Sequence, residues 1–585
     1  MCGIIGYIGK TPEKVLFDGL KKLEYRGYDC AGMTTVRDRK FTTYKSIGKV
    51  DTLKEKLIFN DNLGVGIAHT RWATHGKVSL ENCHPHFNND FSICLVHNGI
   101  IENFNSLKEQ LIKKGKSFYG ETDSEVVAKM FEHGLTIKKV KSVIDNLTGS
   151  YALLMLDKTC NDIYFAKNKN PLYIAFDDEK VMLTSDSSCF NDIFDSFITL
   201  EDGQYGKVSL NTVEIYQNDK KIDRPKVTKC FKSKALGLGK YSHFMLKEIG
   251  ETKSVLRKAI KFYNARGIKN IFKNLPCGFE KVVLIGCGSA YNAGLLAKRY
   301  FIDAGLKSEC ILASEIEFES HNINEKSLCI LISQSGETQD TLKAMNFCME
   351  RKAYCLSLTN VVHSSIARKS HFNIDLLAGC ERAVASTKAY TAQVFHLYIL
   401  AFLLKNRNSQ IENLAKEISE YIDFDSIEVK NIEYLAKKYL KSRLLFFIGK
   451  GRDSILAREG ALKLKEISYL PAFDLPSGEL KHGSIALIDK FATCIAICSQ
   501  EKTLSKIASS AEEIRARGGK VILFSSVDES ELEDCFDDVL YLKSSGKFDI
   551  VNLIIAMQKF AYFVAIKRGC NPDMPRNLAK SVTVE

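Results

Sequence analysis

Short apolar runs separated by polar turns fill the first third of the chain. Strand-like length and β-branched content are found in GIIGYIG, VGIAHTRWAT, FSICLVHNGII, SYALLMLD, IYFAKN and VMLTSD. Helical spacing of apolar residues occurs between such runs, in the stretches Pro12 to Leu23 and Asp123 to His133. The pattern therefore predicts sheets covered by helices up to about residue 217.

A polar, lysine-rich stretch at 218–240 is predicted to link this region to a different one. Beyond it, apolar strands lead through turns into long helices, in KVVLIGCGSAYNAGLLAKRYF, SLCILISQSGETQDTLKAM and AYCLSLTN. The same order returns in RLLFFIGKGRDSILAREGALKLKE, FATCIAICSQEKTLSKIA and KVILFSS. This alternation predicts an α/β fold with parallel sheets, duplicated at 241–425 and 426–570 and followed by a tail at 571–585.

Composition narrows the class of protein. The 585 residues are 45% hydrophobic and 26% charged, as in ordinary globular proteins, and no membrane span or secretory signal stands out. The formal charge of +12 comes from dispersed lysines without a recognition-helix signature, which argues against nucleic acid as a partner. Eighteen cysteines lie in apolar segments without a C-x-x-C motif, so most are predicted to be reduced core residues of a cytoplasmic protein.

The SQSGET segment predicts an anion site. Ser333, Ser335 and Thr338 supply hydroxyls, Gln334 an amide and Gly336 a close backbone approach, at the start of a predicted helix. This number of donors is typical of a site for a phosphate monoester rather than of a simple helix cap. The segment lacks a Walker lysine, which argues against a nucleoside triphosphate. The nearby GCGSAYNAG lacks the third glycine of a dinucleotide fingerprint, so its glycines predict only a tight turn.

Other polar residues are ambiguous from spacing alone. Glu459, Lys463 and Glu466 share one helical stripe, for which surface ion pairing is the ordinary interpretation. His482 and Lys580 lie in glycine- or proline-marked segments that predict no chemistry by themselves. A histidine-rich region invites a metal but lacks the fixed carboxylate or thiolate spacing of a metal site, so no metal is predicted; its histidines are His69, His75, His84, His86 and His97.

Together, the motifs resemble a known family over essentially the whole chain. MCGIIGYIG, LEYRGYD, HTRWATHG, HNGIIEN and ETDSEV are similar to the glutaminase domain of class II amidotransferases. A second set of motifs resembles the sugar isomerase (SIS) half of the isomerizing glutamine:fructose-6-phosphate aminotransferases. These motifs are SQSGET, VASTKAYT, ALKLKEISY, GELKHG and PRNLAKSVTVE. The resemblance implies an N-terminal nucleophile αββα glutaminase domain at 2–217, followed by two doubly wound parallel-sheet SIS domains.

The resemblance implies a glutaminase centre built on Cys2. After removal of Met1, the α-amine of Cys2 would act as the base for its own thiol, which attacks the glutamine amide. Asn98 and the Gly99 N–H would form the oxyanion hole. Glutamine binding and the gate of an ammonia channel are implied for Arg71 (α-carboxylate), Asp123 (α-ammonium), Trp72 (gate), Thr74 and His75.

The resemblance also implies a fructose 6-phosphate centre. Lys580 would form a Schiff base at C2, and His482, from the neighbouring subunit of a homodimer, would assist ring opening. Glu466 would move the proton between C1 and C2, with Lys463 steadying the developing charge. The sugar phosphate would be bound by Ser289, Ser333, Gln334, Ser335, Thr338, Val384 and Ser386.

The implied reaction converts D-fructose 6-phosphate and L-glutamine to D-glucosamine 6-phosphate and L-glutamate, without a cofactor. Ala290 departs from the family, which normally has a serine there to help hold the phosphate, and so puts sugar affinity in doubt. KEIGET and Ser484 also depart from the usual pattern, without removing a catalytic group. A related SIS-domain amidotransferase or deglycase acting on another phosphosugar is the alternative enzyme. A regulatory sugar-phosphate sensor is disfavoured because no helix-turn-helix accompanies the SIS units.

Overall fold

The computed structural model describes residues 2–73, 75–191, 193–223, 226–228, 237–319, 322–406, 410–419, 429–527, 530–542, 548 and 550–580. Their contacts divide the chain into two units. The first contains the residues up to Gly237 together with Ala579 and Lys580, and the second is Leu238–Leu578. Within the described ranges, no helix combines the length and apolarity required to cross a bilayer.

The first unit consists largely of strands. Its elements are β1 (Gly3–Lys10), α1 (Pro12–Leu23), β2 (Cys30–Arg37), β3 (Lys40–Ile47), α2 (Asp51–Lys54), β4 (Leu63–Arg71), β5 (His86–Phe87), β6 (Ile93–Ile101), α3 (Phe104–Lys113), α4 (Asp123–Lys129), α5 (Ile137–Ile144), β7 (Gly149–Asp157), β8 (Ile163–Asn168), β9 (Tyr173–Phe176), β10 (Val181–Thr184), β11 (Ser196–Thr199), β12 (Gln204–Ser209), β13 (Thr212–Gln217), β14 (Lys220–Ile222) and β15 (Lys226–Thr228). The strand order is β15-β11-β9-β10-β1-β4-β2-β3 in one sheet and β14-β13-β12-β8-β7-β6-β5 in the other. Neighbouring strands in both sheets are antiparallel.

Side-chain alternation along β1 explains the layers of this unit. Ile4 and Ile8 enter the core shared by the two sheets, whereas Ile5 and Tyr7 face the core that contains Leu16 of α1. The outer face of the second sheet packs against α3, α4 and α5. The αββα arrangement is therefore confirmed. The predicted helix from Pro12 to Leu23 has these same ends, whereas the one predicted from Asp123 ends at Lys129 instead of His133.

The second unit alternates strands and helices. Its elements are α6 (Phe244–Phe262), α7 (Ala265–Asn274), β16 (Lys281–Gly286), α8 (Ser289–Asp303), β17 (Lys307–Leu312), α9 (Ile316–Glu319), β18 (Ser327–Ser333), α10 (Gln339–Glu350), β19 (Tyr354–Thr359), α11 (Ser365–Lys369), β20 (Phe372–Asp375), α12 (Lys388–Lys405), α13 (Ile411–Ser419), α14 (Val429–Lys438), β21 (Leu444–Gly449), α15 (Arg452–Ser468), β22 (Ala472–Pro476), β23 (Ala492–Cys498), α16 (Glu501–Arg515), β24 (Lys520–Ser525), β25 (Asp538–Tyr541) and α17 (Val551–Lys567).

Two parallel sheets with equivalent strand order confirm the predicted duplication. The first copy has the order β17-β16-β18-β19-β20 and the second β22-β21-β23-β24-β25. A common apolar core joins the copies, and α8 of the first packs against α15 of the second. The first turn of α8 thereby lies against the middle and second half of α15.

Two details differ from the sequence-based picture. β14 and β15 lie inside the stretch predicted as a linker and extend the two sheets, so part of that stretch belongs to the first unit. Cys30 and Cys83 form a disulfide, although the cysteines are predicted to be mostly reduced. Cys94, Cys189, Cys329 and several other cysteines are buried as free thiols, as expected of small core residues.

Candidate active site

Cys2 is held in place because it directly precedes a central strand. β1 is paired on both sides, with β4 and with β10. Side-chain hydroxyls complete the pairing at its start: Gly3 N–H donates to Thr70 Oγ1 (3.2 Å) and Ile4 N–H to Ser185 Oγ (3.2 Å). A chain end that would ordinarily fray is thus an ordered part of a sheet.

The Cys2 thiol lies against the end of β4. The Trp72 backbone N–H donates to Cys2 Sγ at 3.2 Å, and the Asn98 side-chain Nδ2 donates to the Cys2 carbonyl oxygen at 3.0 Å. Burial raises the pKa of the thiol, while the Trp72 N–H and the charge of Arg71 act in the opposite direction. The structure therefore places Trp72 and Asn98 in contact with Cys2, with Arg71 close enough for its charge to act on the thiol.

Arg71 is the last residue of β4 and shapes the segment that follows it. Its guanidinium donates to the backbone carbonyls of His75 (2.5 Å), Gly76 (3.0 Å) and Lys77 (3.2 Å). The side chain is almost fully buried, and burial lowers its pKa against the opposing charges of Cys2 and two aspartates. A planar fork at this point has the geometry to grip a carboxylate as well as carbonyl groups.

Asp123 is fixed at the beginning of α4. Thr122 caps that helix through its side chain, which accepts from the Glu125 N–H. The Asp123 carboxylate accepts from the N–H groups of Ile101 and Ser124, each at 2.9 Å. The side chain is buried beside the end of β6. A carboxylate at this place has the charge required to bind an ammonium group.

Gly99 adopts a conformation that other residues disfavour. Its φ is +134°, and a Cβ atom there would lie 2.0 Å from the Ser150 carbonyl oxygen. The adjoining Asn98 is 5% exposed, and its backbone carbonyl accepts from Asn170 Nδ2 at 3.2 Å. The backbone at Asn98 and Gly99 is thus held by a close approach to Ser150 and by a hydrogen bond from Asn170.

Trp72 and His75 are half-buried in the segment after β4. The Trp72 ring packs edge-on against Tyr28 with 5.8 Å between centroids, and the His75 ring packs against Phe104 at 5.2 Å. Thr74, the remaining residue predicted to bind glutamine, lies outside the described residues.

The crowded histidines form a buried aromatic cluster. The ring centroids of His69 and His84 are 3.8 Å apart, and those of His84 and His86 are 4.6 Å apart. Burial lowers the pKa of His69 to about 3, which keeps it neutral. In the part of the chain that the structure describes, no group of three or more histidine, cysteine, aspartate or glutamate side chains has a metal-binding arrangement.

A buried polar cluster occupies the contact between α8 and α15. Glu459 Oε1 accepts from Ser289 Oγ at 2.9 Å, and Lys463 Nζ donates to the same Ser289 oxygen at 3.0 Å. Lys463 also forms ion pairs with Glu459 (3.5 Å) and Glu466 (2.7 Å). The surface ion pairing that the helical spacing indicates is wrong, because Glu459 and Lys463 are each only 1% exposed.

The charges in this cluster depend on one another. Burial favours the neutral amine of Lys463, yet Glu466 and Glu459 outweigh it and hold the pKa of the ammonium above its ordinary value. Burial raises the pKa of Glu459, against the opposing effects of Lys463 and Asn292. The cluster thus combines a buried ammonium with two carboxylates, and both oxygens of Glu459 accept hydrogen bonds.

The phosphate-site prediction falls at the carboxyl end of β18. Ser333 ends this strand, and its Oγ accepts from the Gly336 N–H at 3.0 Å and lies 3.2 Å from Thr338 Oγ1. Gly336 has φ +65°, and its Cβ position would overlap Ser364 Oγ at 1.9 Å. Thr338 is the N-cap residue of α10, so the segment leads into the helix N-terminus predicted from the sequence.

The remaining predicted sugar residues lie in separate segments. Val384 and Ser386 belong to a loop before α12, and the Val384 N–H donates to the Asp573 carbonyl at 3.0 Å. His482 is exposed, directly after a 3-10 helix at Ser477–Lys481. Lys580 is half-buried and groups with the first unit.

Asn292 was not predicted and completes the buried cluster. Its Nδ2 donates to Glu459 Oε2 at 2.7 Å, so both oxygens of that carboxylate are bound from α8. The signal in the sequence is the spacing of Ser289 and Asn292, which places them on one face of α8. Reading that face as a partner of α15 requires knowing which helices pack together.

Comparison with known proteins decides the family. The model of the SIS domain matches residues 279–403 and 438–564, and that of a glutamine amidotransferase domain matches residues 69–192. Glutamine--fructose-6-phosphate aminotransferase [isomerizing] of Caldanaerobacter subterraneus subsp. tengcongensis is 37% identical over 612 residues, which cover 100% of both chains. The chain belongs to this family. The resemblance drawn from the motifs is confirmed.

Further members show the same extent of similarity. The proteins of the same name from Fusobacterium nucleatum and Helicobacter pylori are each 37% identical, over 611 and 610 residues, with complete coverage of both chains. Among solved structures, the C-terminal domain of glucosamine-fructose-6-phosphate aminotransferase from Francisella tularensis is 33% identical with a TM-score of 0.51. It covers 58% of this aminotransferase-family chain and 99% of its own.

Proposed function

We propose that this aminotransferase makes D-glucosamine 6-phosphate in two centres, one that frees ammonia from glutamine and one that adds it to fructose 6-phosphate. Overall, D-fructose 6-phosphate and L-glutamine give D-glucosamine 6-phosphate and L-glutamate. The observation that carries the proposal is the full-length match to enzymes of that name, in a chain that holds both the Cys2 centre and the Ser289–Lys463 cluster.

In the glutaminase centre, Cys2 is the nucleophile. With Met1 removed, its α-amine takes the thiol proton and the thiolate attacks the amide carbon of glutamine. The C–N bond breaks, the proton goes to the leaving ammonia, and water then releases glutamate from the thioester. Asn98 and the Gly99 N–H stabilise the oxyanion, while Arg71 binds the α-carboxylate and Asp123 the α-ammonium.

In this proposal, Arg71 gives up its hydrogen bonds to the following loop when glutamine binds. Arg71 now donates to three carbonyls of residues 75–77, and a substrate carboxylate would compete for the same fork. Trp72 stands between the end of β4 and this loop, which suits it to gate the path of ammonia. His75 and Thr74 contribute to the same glutamine-binding segment.

In the sugar centre, the phosphate of fructose 6-phosphate is bound by Ser289, Ser333, Gln334, Ser335 and Thr338. Val384 and Ser386 lie near the carbon chain. These residues fix the sugar over the buried cluster, at the carboxyl ends of the strands of the first copy.

The chemistry at C1 and C2 then uses lysine and glutamate. Lys580 forms a Schiff base at C2 with loss of water, and ammonia then adds to this C=N bond and releases the lysine amine, which leaves the fructosimine. Glu466 carries the proton from C1 to C2 of the fructosimine, so that C2 keeps the amine and C1 becomes the aldehyde carbon of the aminosugar. Lys463 holds the charge that develops on the sugar oxygen, which its buried ammonium and its 2.7 Å contact with Glu466 support.

The proposed enzyme is a cytoplasmic homodimer that needs no cofactor for these steps. His482 assists ring opening in the neighbouring subunit. Its exposure in the single chain supports this assignment, because it leaves the imidazole accessible to a second copy.

Two variants test the proposal by separating the centres. Cys2→Ala should abolish glutamate release and glutamine-dependent glucosamine 6-phosphate, with a rate loss of about 1,000-fold or more. Cys160→Ala, which removes another thiol of the first unit, should leave both rates unchanged. Lys580→Arg keeps the positive charge but cannot form the Schiff base, so it should stop sugar conversion and preserve glutamine hydrolysis.

Product analysis decides between the proposal and its alternative. Chromatography of the sugar products with fructose 6-phosphate and with other ketose phosphates should show glucosamine 6-phosphate from the former. Conversion of a different phosphosugar alone, or full glutamine-dependent activity in Cys2→Ala, would refute the proposal.

A further inference from the structure

The loop that carries Val384 and Ser386 is organised around a buried carboxylate to which the sequence motifs give no role. Glu381 is 5% exposed and lies five residues before Ser386. Its Oε1 accepts from the N–H groups of Thr387 (3.0 Å) and Ala389 (3.1 Å). Its Oε2 accepts from the Ser386 hydroxyl at 3.4 Å. One side chain therefore contacts both the helix that follows the loop and the loop's own hydroxyl.

Glu381 replaces the ordinary cap of α12. Thr387 is the N-cap residue of that helix, but its side chain makes no capping hydrogen bond. A carboxylate at this position satisfies otherwise unpaired N–H groups and complements the positive end of the helix dipole. Because the carboxylate comes from upstream, residues 381–387 close into a ring and cannot change shape without breaking these bonds.

The contact with Ser386 sets the direction of a hydroxyl proton. A serine hydroxyl has one proton to donate and two positions at which it accepts. When the proton points to Glu381, the accepting side remains for a hydroxyl group of the sugar. Loss of the Glu381 acceptor would let Ser386 rotate without changing the serine itself.

Other buried acceptors hold the remainder of the loop. Glu248 Oε1 accepts from the Arg382 N–H (2.5 Å) and the Ala383 N–H (3.3 Å), and the Asp573 carbonyl accepts from the Val384 N–H. These groups fix the backbone on the other side of Val384. Because the Ser386 hydroxyl donates to Glu381, that carboxylate couples the shape of the loop to the orientation of the hydroxyl.

We propose that Glu381 is a positioning residue for fructose 6-phosphate, acting through the Ser386 hydroxyl. The proposal rests on the proposed function, which assigns Ser386 to the sugar. It predicts that the carboxylate affects sugar binding more than turnover, since Glu381 orients a contact of the bound substrate and performs no step of the reaction.

The test compares Glu381→Gln, Ser386→Ala and the double variant in the full-length enzyme. Glutamine keeps an oxygen that accepts from Thr387 and Ala389 but presents an N–H₂ group, which cannot accept from Ser386. Each single variant should raise the KM for fructose 6-phosphate about fivefold, with kcat changed less than about twofold. The double variant should show no more than the larger single effect, because the two residues act as one unit.

Further variants separate positioning from stability. Glu350→Gln, at the exposed end of α10, is the matched control and should leave KM unchanged. Glu381→Asp keeps the charge near the helix N-terminus but is shorter by one methylene, so it should reproduce the KM increase with a smaller loss of thermal stability. Glu381→Asp provides the test if Glu381→Gln is too unstable to purify.

The possible outcomes have distinct meanings. An unchanged KM in Glu381→Gln or Glu381→Asp, or KM effects that multiply in the double variant, would overturn the role of Glu381. An unchanged KM in Ser386→Ala would overturn it as well and would also remove Ser386 from the sugar site. A KM increase in Ser386→Ala with none in the Glu381 variants would refute the positioning role alone and leave the proposed function intact.

Discussion

The two copies of the parallel sheet have the same strand order, but they differ in the side chains at the place where a phosphate is proposed to bind. Gly288 precedes α8 with φ 56° and ψ −127°, and Gly451 precedes α15 with φ 63° and ψ −124°. The two copies thus have equivalent turns and equivalent topology, and each has a crevice at the carboxyl ends of its strands. The side chains decide which of them can hold a phosphate.

In the second copy, a buried aspartate is hydrogen-bonded at this end of the sheet. Asp453 lies two residues after Gly451, is fully buried, and accepts from the Ser499 N–H at 2.8 Å and from the Ser499 hydroxyl. The first copy has Ala290 at the corresponding place, two residues after Gly288. The copy with Asp453 therefore has a carboxylate where the other copy has a methyl group.

The strand ends differ in the same sense. The register pairs Ile285 with Leu331 in the first copy and Ile448 with Ala496 in the second. Two residues further along lie Ser333 and Cys498, respectively. A hydroxyl that accepts from the Gly336 N–H in the first copy thus corresponds to a buried thiol in the second. The two copies share a topology but differ in the polar groups at the strand ends.

Among substitutions that compare the two copies, the largest effect is expected when the first copy is made to resemble the second. Ala290→Asp would place a carboxylate where the substrate phosphate is proposed to bind, and like charges at close range repel strongly. We expect the KM for fructose 6-phosphate to rise about 100-fold or more, with glutamine hydrolysis retained. Ala290→Asn is the uncharged control of similar size, and equal effects of both variants would contradict the charge argument.

The reciprocal change should weaken the fold and spare the sugar site. Asp453→Ala leaves the buried Ser499 N–H without its acceptor, so the free energy of unfolding should fall by about 2 kcal/mol. Chemical denaturation of the purified variant measures this loss. The KM for fructose 6-phosphate should stay within about twofold of the parent value. A large KM increase at normal stability would indicate that the second copy also contacts substrate through this residue.

A matched pair of small substitutions tests the strand ends. Ser333→Ala removes a hydroxyl from the proposed phosphate site and should raise the KM for fructose 6-phosphate about tenfold. Cys498→Ala changes the equivalent position of the second copy and should leave KM unaltered. Steady-state kinetics at saturating glutamine would show the difference, and equal KM values for the two variants would remove the asymmetry.

The smallest effect concerns the departure from the family at Ala290. Ala290→Ser restores a hydroxyl near the proposed phosphate and should lower the KM for fructose 6-phosphate about threefold. The measurement is the same kinetic assay. An increase in KM would mean that the pocket is adapted to the methyl group.

Local features of the fold follow directly from the sequence. The ends of α1 and the strand at β1 are set by apolar spacing and glycine, and both agree with the structure. The loop at Ser333–Thr338 is also a local feature, because its hydroxyls and the helix that follows are neighbours in sequence.

Long-range packing explains what the sequence could not predict. The stripe of Glu459 and Lys463 has the spacing of a solvated face, but α8 covers it, and only the tertiary packing of the two copies buries it. Glu381 and Asn292 act on partners supplied by a loop closure and by another helix. The contact of Cys30 with Cys83 joins residues 53 apart in sequence, which hydrophobic pattern does not encode.

The central claim is that nitrogen from the glutamine amide reaches the sugar through one enzyme. Glutamine labelled with ¹⁵N in the amide, supplied with fructose 6-phosphate and an excess of unlabelled ammonium, tests it in a single mass spectrum. The account predicts glucosamine 6-phosphate that carries mostly the heavy isotope in the full-length enzyme and none from glutamine in Cys2→Ala. Unlabelled product in the full-length enzyme, or labelled product in Cys2→Ala, would contradict it.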